Sequence, residues 1–253
     1  MLTIERIKEI TEELKNKNAV SVKELAKKHF TSESTIRRDL EKLEKMGIVK
    51  RSYGGAILIE GANAEIPLLV RENEQKSAKD IIGHHASTLV ENGNVLFLDS
   101  SSTVLHIVPY LKGVERLTII TNGAKTVVEC VNLLNAKVYS TGGLLRENSL
   151  SFIGETAKRS VKDYYTDVLF FSCRALSLEK GLTDISEDEA GLRRLMIENA
   201  KKVVLLMDSS KFDKISFCNI CSLSKIHTLI TDKKPSDKWL DFLKNNSIEC
   251  IFD

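Results

Sequence analysis

The sequence predicts two domains of different class: an α+β winged helix-turn-helix over residues 1–58, then a larger α/β domain with a mainly parallel sheet over residues 71–253, joined by a linker at 59–70. Three observations carry this. Residues 21–58 hold two short helical patterns around a tight turn, followed by a Gly-punctuated pair of β-prone runs. From residue 71 onward, short apolar runs alternate with helical patterns, the mark of a sheet covered on both faces. Charge divides the same way: residues 1–58 carry 13 Lys and Arg against 9 Asp and Glu, a net +4, whereas the rest carries 24 against 26, a net −2. A basic excess confined to the small module is the electrostatic footprint of a nucleic-acid partner.

Composition excludes several classes. With 42% apolar and 28% charged residues, the 253-residue chain can bury a core and is not a disordered polymer. No apolar run approaches the ~18 residues of a membrane span, and no secretory pattern opens the chain, so a cytoplasmic protein without membrane contact is expected. Five scattered cysteines fit a reducing compartment. Cys218 and Cys221 have CxxC spacing, but there is no second pair, and neither a metal nor a cofactor is expected.

In the small module, Ile4, Ile7, Ile10 (or Thr11) and Leu14 give one apolar stripe to a first helix over 3–17. Ser21 with Glu24 reads as a capping box opening a helix toward Phe30. After the turn, Ser32 is the N-cap of a second helix whose stripe is Ile36, Leu40 and Leu43. Arg37 and Arg38 fall off that stripe. Such a helix enters the major groove, which makes Ser32, Ser34, Thr35, Arg37 and Arg38 the candidates at the groove. Gly47 ends the helix, and Gly54-Gly55 separates the two runs of a wing, where Lys50, Arg51 and Tyr53, with Lys42, are candidates for phosphates.

The larger domain opens with a helical pattern over 71–90. Strands are expected at 95–99, 117–121, 137–141, 167–171, 203–208, 228–231 and, as an edge, 248–252. Helices are expected near 103–112, 123–134, 155–163, 188–201 and 237–245. In open α/β sheets a ligand binds beyond the carboxyl ends of the strands. Four such ends carry small polar residues: Asp99-Ser100-Ser101-Ser102-Thr103, Thr121-Asn122-Gly123, Thr141-Gly142-Gly143 with Arg146 close behind, and Asp208-Ser209-Ser210-Lys211. Each alone reads as an ordinary cap or turn. Their coincidence points to one small-anion pocket, best suited to phosphate. The neighbouring His84 and His85 do not share a helix face, His106 reads as a helix-face residue on the pocket wall, and Trp239 reads as core.

Residues Thr31 to Ala56, with TIRRDL followed by GIVKRSYGGA, resemble the N-terminal domain of DeoR/GlpR-type bacterial transcription regulators, with Tyr53 where that family commonly has His. The larger domain is similar to the family's sensor domain through LDSSST, TNG, TGG, GLT at Gly181–Thr183, and DSSKF. The resemblance implies a fold shared with ribose-5-phosphate isomerase, a phosphorylated sugar as effector, and operator DNA as partner of a homo-oligomer. Asp99 through Thr103, Thr121, Asn122, Gly142, Gly143 and Lys211 match the positions that line the effector pocket. Glu189 and Arg193 match the helix pattern EAxxK, with Arg for Lys. Ser100–Ser102 and Ser172–Ala175 depart from the family's glycines, and Arg174 is either a charge at the pocket mouth or an exposed loop residue. The reading is a repressor of sugar-metabolism genes, not an enzyme. The alternatives are a sugar-phosphate isomerase or deaminase carrying a DNA-binding module, and an architectural DNA-binding protein. Against the enzyme stands the stretch Phe171–Ala175, which has no carboxylate where the isomerases place an acidic loop.

Overall fold

Apolar stripes of unequal size build two separate cores. The structure, a computed structural model, describes residues 3–45, 47–59 and 66–253, and the chain divides into Met1–Glu74 and Gln75–Asp253. Residues 60–65 of the expected linker lie outside the described residues.

In the first unit, α1 (Thr3–Lys17), α2 (Val22–Lys28) and α3 (Glu33–Lys45) bury Ile10, Leu14, Leu25, Ile36, Leu40 and Leu43 in one cluster, with Ile7 at its margin. The Ile4 side chain, part of the expected stripe, lies outside the described residues. Ser32 caps α3 as expected, its Oγ accepting from the Thr35 N–H at 3.2 Å. The capping box at Ser21 does not form. Ser21 belongs to a strand, β1 (Ala19–Ser21), and its side chain makes no cap bond. The first N–H of α2, on Val22, instead donates to the carbonyl of Gly54 at 2.8 Å. The wing is the hairpin β2 (Val49–Ser52) and β3 (Gly55–Leu58), turning at Tyr53-Gly54. β3 lies between β2 and β1, all antiparallel. Gly55 makes the third strand possible: a Cβ there would sit 2.1 Å from the Val20 carbonyl oxygen. A helical turn, α4 (Leu68–Arg71), closes the unit.

In the second unit the expected helix over 71–90 is broken. The polar run Glu72–Gln75 interrupts the apolar period, Gln75 takes φ +50°, and α5 starts afresh at Lys76–Ser87. The strands and helices then follow as β4 (Val95–Leu98), α6 (Ser102–Leu105), β5 (Thr118–Thr121), α7 (Ala124–Leu133) and β6 (Lys137–Ser140). Next come β7 (Leu144–Arg146), β8 (Ser151–Ile153), α8 (Gly154–Lys162) and β9 (Thr166–Phe171). They continue with β10 (Ala175–Ser177), β11 (Gly181–Asp184), α9 (Glu187–Glu198), β12 (Ala200–Leu206) and β13 (Cys218–Cys221). The last are β14 (Thr228–Ile230), α10 (Asp237–Asn245) and β15 (Glu249–Ile251). The seven expected strands form one sheet in the order β15-β14-β12-β9-β4-β5-β6, parallel throughout. Apolar clusters cover both faces: Phe97, Leu169, Phe171, Leu205 and Trp239 on one, Leu96, Leu98, Phe170, Leu206 and Ile230 on the other. The helix expected at 103–112 ends early in α6 and resumes as a 3-10 turn at Val108–Leu111, because Pro109 has no N–H to give. The hairpin β7–β8 and the small antiparallel sheet β10-β11-β13 were not expected.

Among the described residues, no helix is long and apolar enough to cross a membrane.

Helix α5 closely approaches the backbone after α6 at Gly83, where a Cβ would lie 2.3 Å from the His106 carbonyl oxygen. Alanine is the better helix former by about 1 kcal/mol, so propensity alone favours Gly83→Ala. Overpacking costs roughly 1–3 kcal/mol and the clash is with backbone, so the variant is expected to melt lower; an unchanged or raised Tm would refute the close approach.

Candidate nucleic-acid interface and effector crevice

Helix α3 is held from behind by a buried ion pair. Asp39 accepts from Arg6 Nε at 2.5 Å and Nη2 at 3.3 Å, tying α3 to α1. In the run Ile36-Arg37-Arg38-Asp39-Leu40, Ile36, Asp39 and Leu40 point inward and both arginines outward. At the helix start, Ser32 Oγ lies 2.9 Å from Ser34 Oγ and 2.9 Å from Thr35 Oγ1, a hydroxyl cluster beside the free N–H groups. Ser34, Arg37, Arg38, Lys42, Lys50, Arg51 and Tyr53 are exposed, and Thr35 is half-buried. Arg38, Lys42 and Lys50 form no ion pair with any described residue. Arg51 does: its Nε donates to Glu44 at 2.6 Å and its backbone N–H donates to the same carboxylate at 3.0 Å, which pins the wing to α3. Ser21, Lys23, Glu33, Arg37, Ser52 and Tyr53 line one groove between the start of α2, the first turns of α3 and the wing tip.

In the second unit, strand order reverses between β4 and β9: β5 and β6 extend to one side of β4, β9 and the later strands to the other. That reversal opens a crevice at the carboxyl ends of the two strands. The loops there touch. Asp99, after β4, accepts from the backbone N–H of Ser172, after β9, at 3.3 Å and from that of Ser101 at 2.9 Å. Ser101 Oγ in turn caps α6 by accepting from Val104 N–H at 3.2 Å. Asn122, after β5, donates to Ser100 Oγ at 3.3 Å and to the Phe152 carbonyl at 3.4 Å, while its own Oδ1 is buried with no hydrogen-bond partner. Thr121 Oγ1 accepts from Gly123 N–H at 3.0 Å, and a Cβ on Gly123 would press within 3.1 Å of Ser100 Cα. Ser100 to Thr103, Thr121 and Asn122 are all buried, whereas Gly143 is exposed and Gly142 half-buried. Gly143, at φ +113°, is required by packing: a Cβ would stand 2.5 Å from the Ile153 carbonyl oxygen. Lys211 is half-buried, at the end of the 3-10 turn that follows β12.

The centre of the crevice wall is Arg193 of α9. Its Nε donates to Asp99 at 2.8 Å, its Nη1 donates to Asp184 at 2.9 Å, and its Nη2 stands 3.6 Å from Glu189. Glu189 also accepts from Ser151 Oγ at 2.6 Å and lies 3.3 Å from Arg146 Nη1. Burial pushes the Glu189 carboxyl up, but Arg193, the hydroxyls of Ser151 and Ser149, and Arg146 together outweigh it and hold the group below its ordinary value. Burial likewise opposes the charge on Arg193, and Asp184, Asp99 and Glu189 overcome it. The sequence marked Glu189 and Arg193 through a helix pattern only. Ser149, Ser151 and the role of Asp184 had no signal, because they come from the hairpin and small sheet that short runs do not reveal. His106 turns its Nδ1 to Asp80 of α5 at 2.7 Å. Cys218 and Cys221 lie on β13, where burial pushes the Cys221 thiol up to about 11.

The family described as DeoR-like helix-turn-helix domain matches residues 6–62, and that described as DeoR C terminal sensor domain matches residues 74–233. The chain belongs to the DeoR family. The HTH-type transcriptional regulator YulB of Bacillus subtilis is 40% identical over 232 residues, covering 92% of this chain and 90% of that protein. A putative aga operon transcriptional repressor of Escherichia coli O157:H7 is 33% identical over 255 residues, covering 98% and 93%. A solved ribose 5-phosphate isomerase A from Methanocaldococcus jannaschii aligns over 55% of each chain at 15% identity with a TM-score of 0.41. As a DeoR-family member the chain is a DNA-binding transcriptional regulator, with a helix-turn-helix domain followed by a sensor domain of α/β class. Its relatives are named as regulators and not as enzymes.

The Glu189 shift fixes a sign. The folded value is depressed below 4.5, so the stability that the ionised group contributes is fully present above 4.5 and is lost as pH falls through the lower folded value. Glu189→Gln is expected to lower stability near neutrality by about 3–5 kcal/mol, as for a broken buried pair, and the gap to the unaltered protein should narrow in acid. A gap that stays constant from about pH 7 to about pH 3 would show that the charge on Glu189 is not what the cluster uses.

Proposed function

We propose that this DeoR-family regulator is a cytoplasmic repressor of sugar-metabolism genes whose hold on operator DNA is changed by a phosphorylated sugar in the β4–β9 crevice. The observation that carries the reading is the convergence of buried hydroxyls and amides at that crevice, with the Asn122 Oδ1 acceptor left without a donor. A phosphate suits the hydroxyl loop Ser100–Thr103 together with the Asn122-Gly123 start of α7 and the cations Lys211 and Arg146. A sugar hydroxyl suits Asn122 Oδ1, which needs a proton donor. Asp99 supports the loop from beneath, with its oxygens engaged by Ser101, Ser172 and Arg193. Gly142 and Gly143 form the rim.

On DNA, Ser32, Ser34, Thr35, Arg37 and Arg38 meet the major groove, and Lys42, Lys50, Arg51 and Tyr53 meet the phosphates. Because one winged module makes few contacts, the protein works as a homo-oligomer on repeated half-sites. The effector acts by binding one quaternary arrangement better than another.

Replacing Arg37 and Arg38 by Ala together is expected to weaken operator binding by roughly 1–3 kcal/mol per lost base contact, with the melting curve of the free protein unchanged. Full affinity in a gel-shift titration would remove α3 from the groove. In a thermal-shift screen of sugar phosphates, a true effector at about 100 times its Kd should add ~2.7 kcal/mol. Asn122→Asp and Lys211→Ala should each erase that gain while leaving operator affinity without effector intact; retention of the full shift in both would move the site elsewhere.

A further inference from the structure

The groove of the first unit contains a carboxylate where phosphate binding alone would exclude one. Glu33, in the first turn of α3, lies in the groove lined by Lys23, Arg37, Ser52 and Tyr53, and its Oε2 accepts from Arg37 Nη2 at 3.1 Å. Arg38, Lys42 and Lys50 add positive charge to the same unit, all of it exposed. A negative group among these cations weakens attraction to every DNA sequence equally, since non-specific binding is set by phosphate neutralisation. It does, however, fix a guanidinium. Arg37 is one helical turn on from Glu33, and the pair engages Nη2, one nitrogen of a fork that carries further N–H donors.

We propose that Glu33 is a positioning residue for sequence recognition: it holds Arg37 so that the remaining fork meets a guanine edge at one base pair of each half-site. Arginine reads guanine O6 and N7 through two parallel donors. An arginine on a freely rotating stem instead spends much of its time on the nearest phosphate, which carries no sequence information. Glu33 acts against that alternative twice. It restrains the side chain, and when Arg37 swings to a phosphate it leaves a carboxylate unpaired beside the DNA. Discrimination is gained through the wrong complex being made worse. The inference rests on the placement of α3 in the groove proposed above, and concerns Glu33, which lies outside the set of DNA contacts given there.

The test is selection of duplexes from a randomised library by the full-length protein, followed by affinity titration of the enriched sequences. Glu33→Ala and Glu33→Gln remove the same charge, so their non-specific attraction is matched, but only the glutamine keeps an oxygen that can accept from Arg37. Glu33→Ala is expected to lose discrimination of roughly tenfold at a single G·C position per half-site, with other positions unchanged, and Glu33→Gln to keep most of it. Arg37→Ala should flatten that same position, and adding Glu33→Ala to it should flatten nothing more. The proposal is overturned if both Glu33 variants keep the original preference and merely bind all sequences more tightly. It is also overturned if Glu33 and Arg37 prove to control different positions. Failure of the unaltered protein to enrich any sequence would take down the DNA-reading assignment of α3 itself, and this inference with it.

Discussion

A single buried guanidinium, that of Arg193, joins most of what surrounds the crevice of the sensor unit. It reaches Asp99 in the loop after β4 and Asp184 at the end of β11, and lies against Glu189 one turn earlier on α9. Through Glu189 the chain of contacts continues to Ser151 on β8 and Arg146 on β7. Withdrawing these charges from water is expensive, and an ion pair of this kind is weak evidence for net stability. Its effect is positional. Asp99 cannot leave Arg193 without abandoning the N–H groups of Ser101 and Ser172, so the loops on either side of the strand reversal keep one spacing. Arginine suits this place better than lysine, because a planar fork can address several carboxylates at once and an ammonium is a point charge.

The same device recurs on a smaller scale in the helix-turn-helix unit. Arg6 and Asp39 are both buried, and their two hydrogen bonds set the rotation of α3 about its axis. Rotation is what counts on a recognition helix. With Asp39 turned inward, Arg37 and Arg38 have no choice but to face out, and Glu33 falls on the same side as Arg37 one turn away. The wing is fixed separately, by the Arg51–Glu44 pair and by the Gly54 carbonyl that receives the Val22 N–H. The recognition helix therefore depends on an ion pair buried behind it, and the wing on one that Arg51, itself a candidate for phosphate, makes with Glu44.

What could be read in the sequence was whatever has a period or a terminus. All seven strands of the parallel sheet were legible: β4, β5, β9, β12 and β14 are mostly apolar and buried, and the more exposed edges β6 and β15 continue the same alternation of strand and helix, while α1 and α10 have regular stripes. The loops at the strand ends were legible because hydroxyls and glycines punctuate them. Strands β1, β7 and β10 were not, since Ala19–Ser21, Leu144–Arg146 and Ala175–Ser177 stand outside the strand-helix alternation that marks the parallel sheet. The cap of α2 was misread too: Ser21 has the right chemistry, but it is held in β1 beside the wing and its side chain makes no cap bond. The buried charge cluster was hidden most completely, because Asp99, Asp184, Glu189 and Arg193 meet only after the sheet has closed.

That cluster also bears on why a crevice rich in carboxylates would sense rather than transform its ligand. A general base must hold a lone pair open to substrate and a proton affinity matched to the medium. Asp99 accepts from two backbone N–H groups and from Arg193; Asp184 accepts from Arg193 and from the Ile185 N–H. Glu189 accepts from Ser151 and is pulled below its ordinary value by its cationic neighbours. Asp208, at the end of β12, accepts from the Ser210 N–H, and Asp232 accepts from the N–H and hydroxyl of Ser209. Each of these carboxylates has at least one oxygen engaged in holding a backbone N–H, a hydroxyl or a guanidinium in place, which leaves it less open to a substrate. In the reading proposed above, the groups that meet a phosphorylated sugar are hydroxyls, amides and cations, which suit gripping it and have little capacity to move its protons.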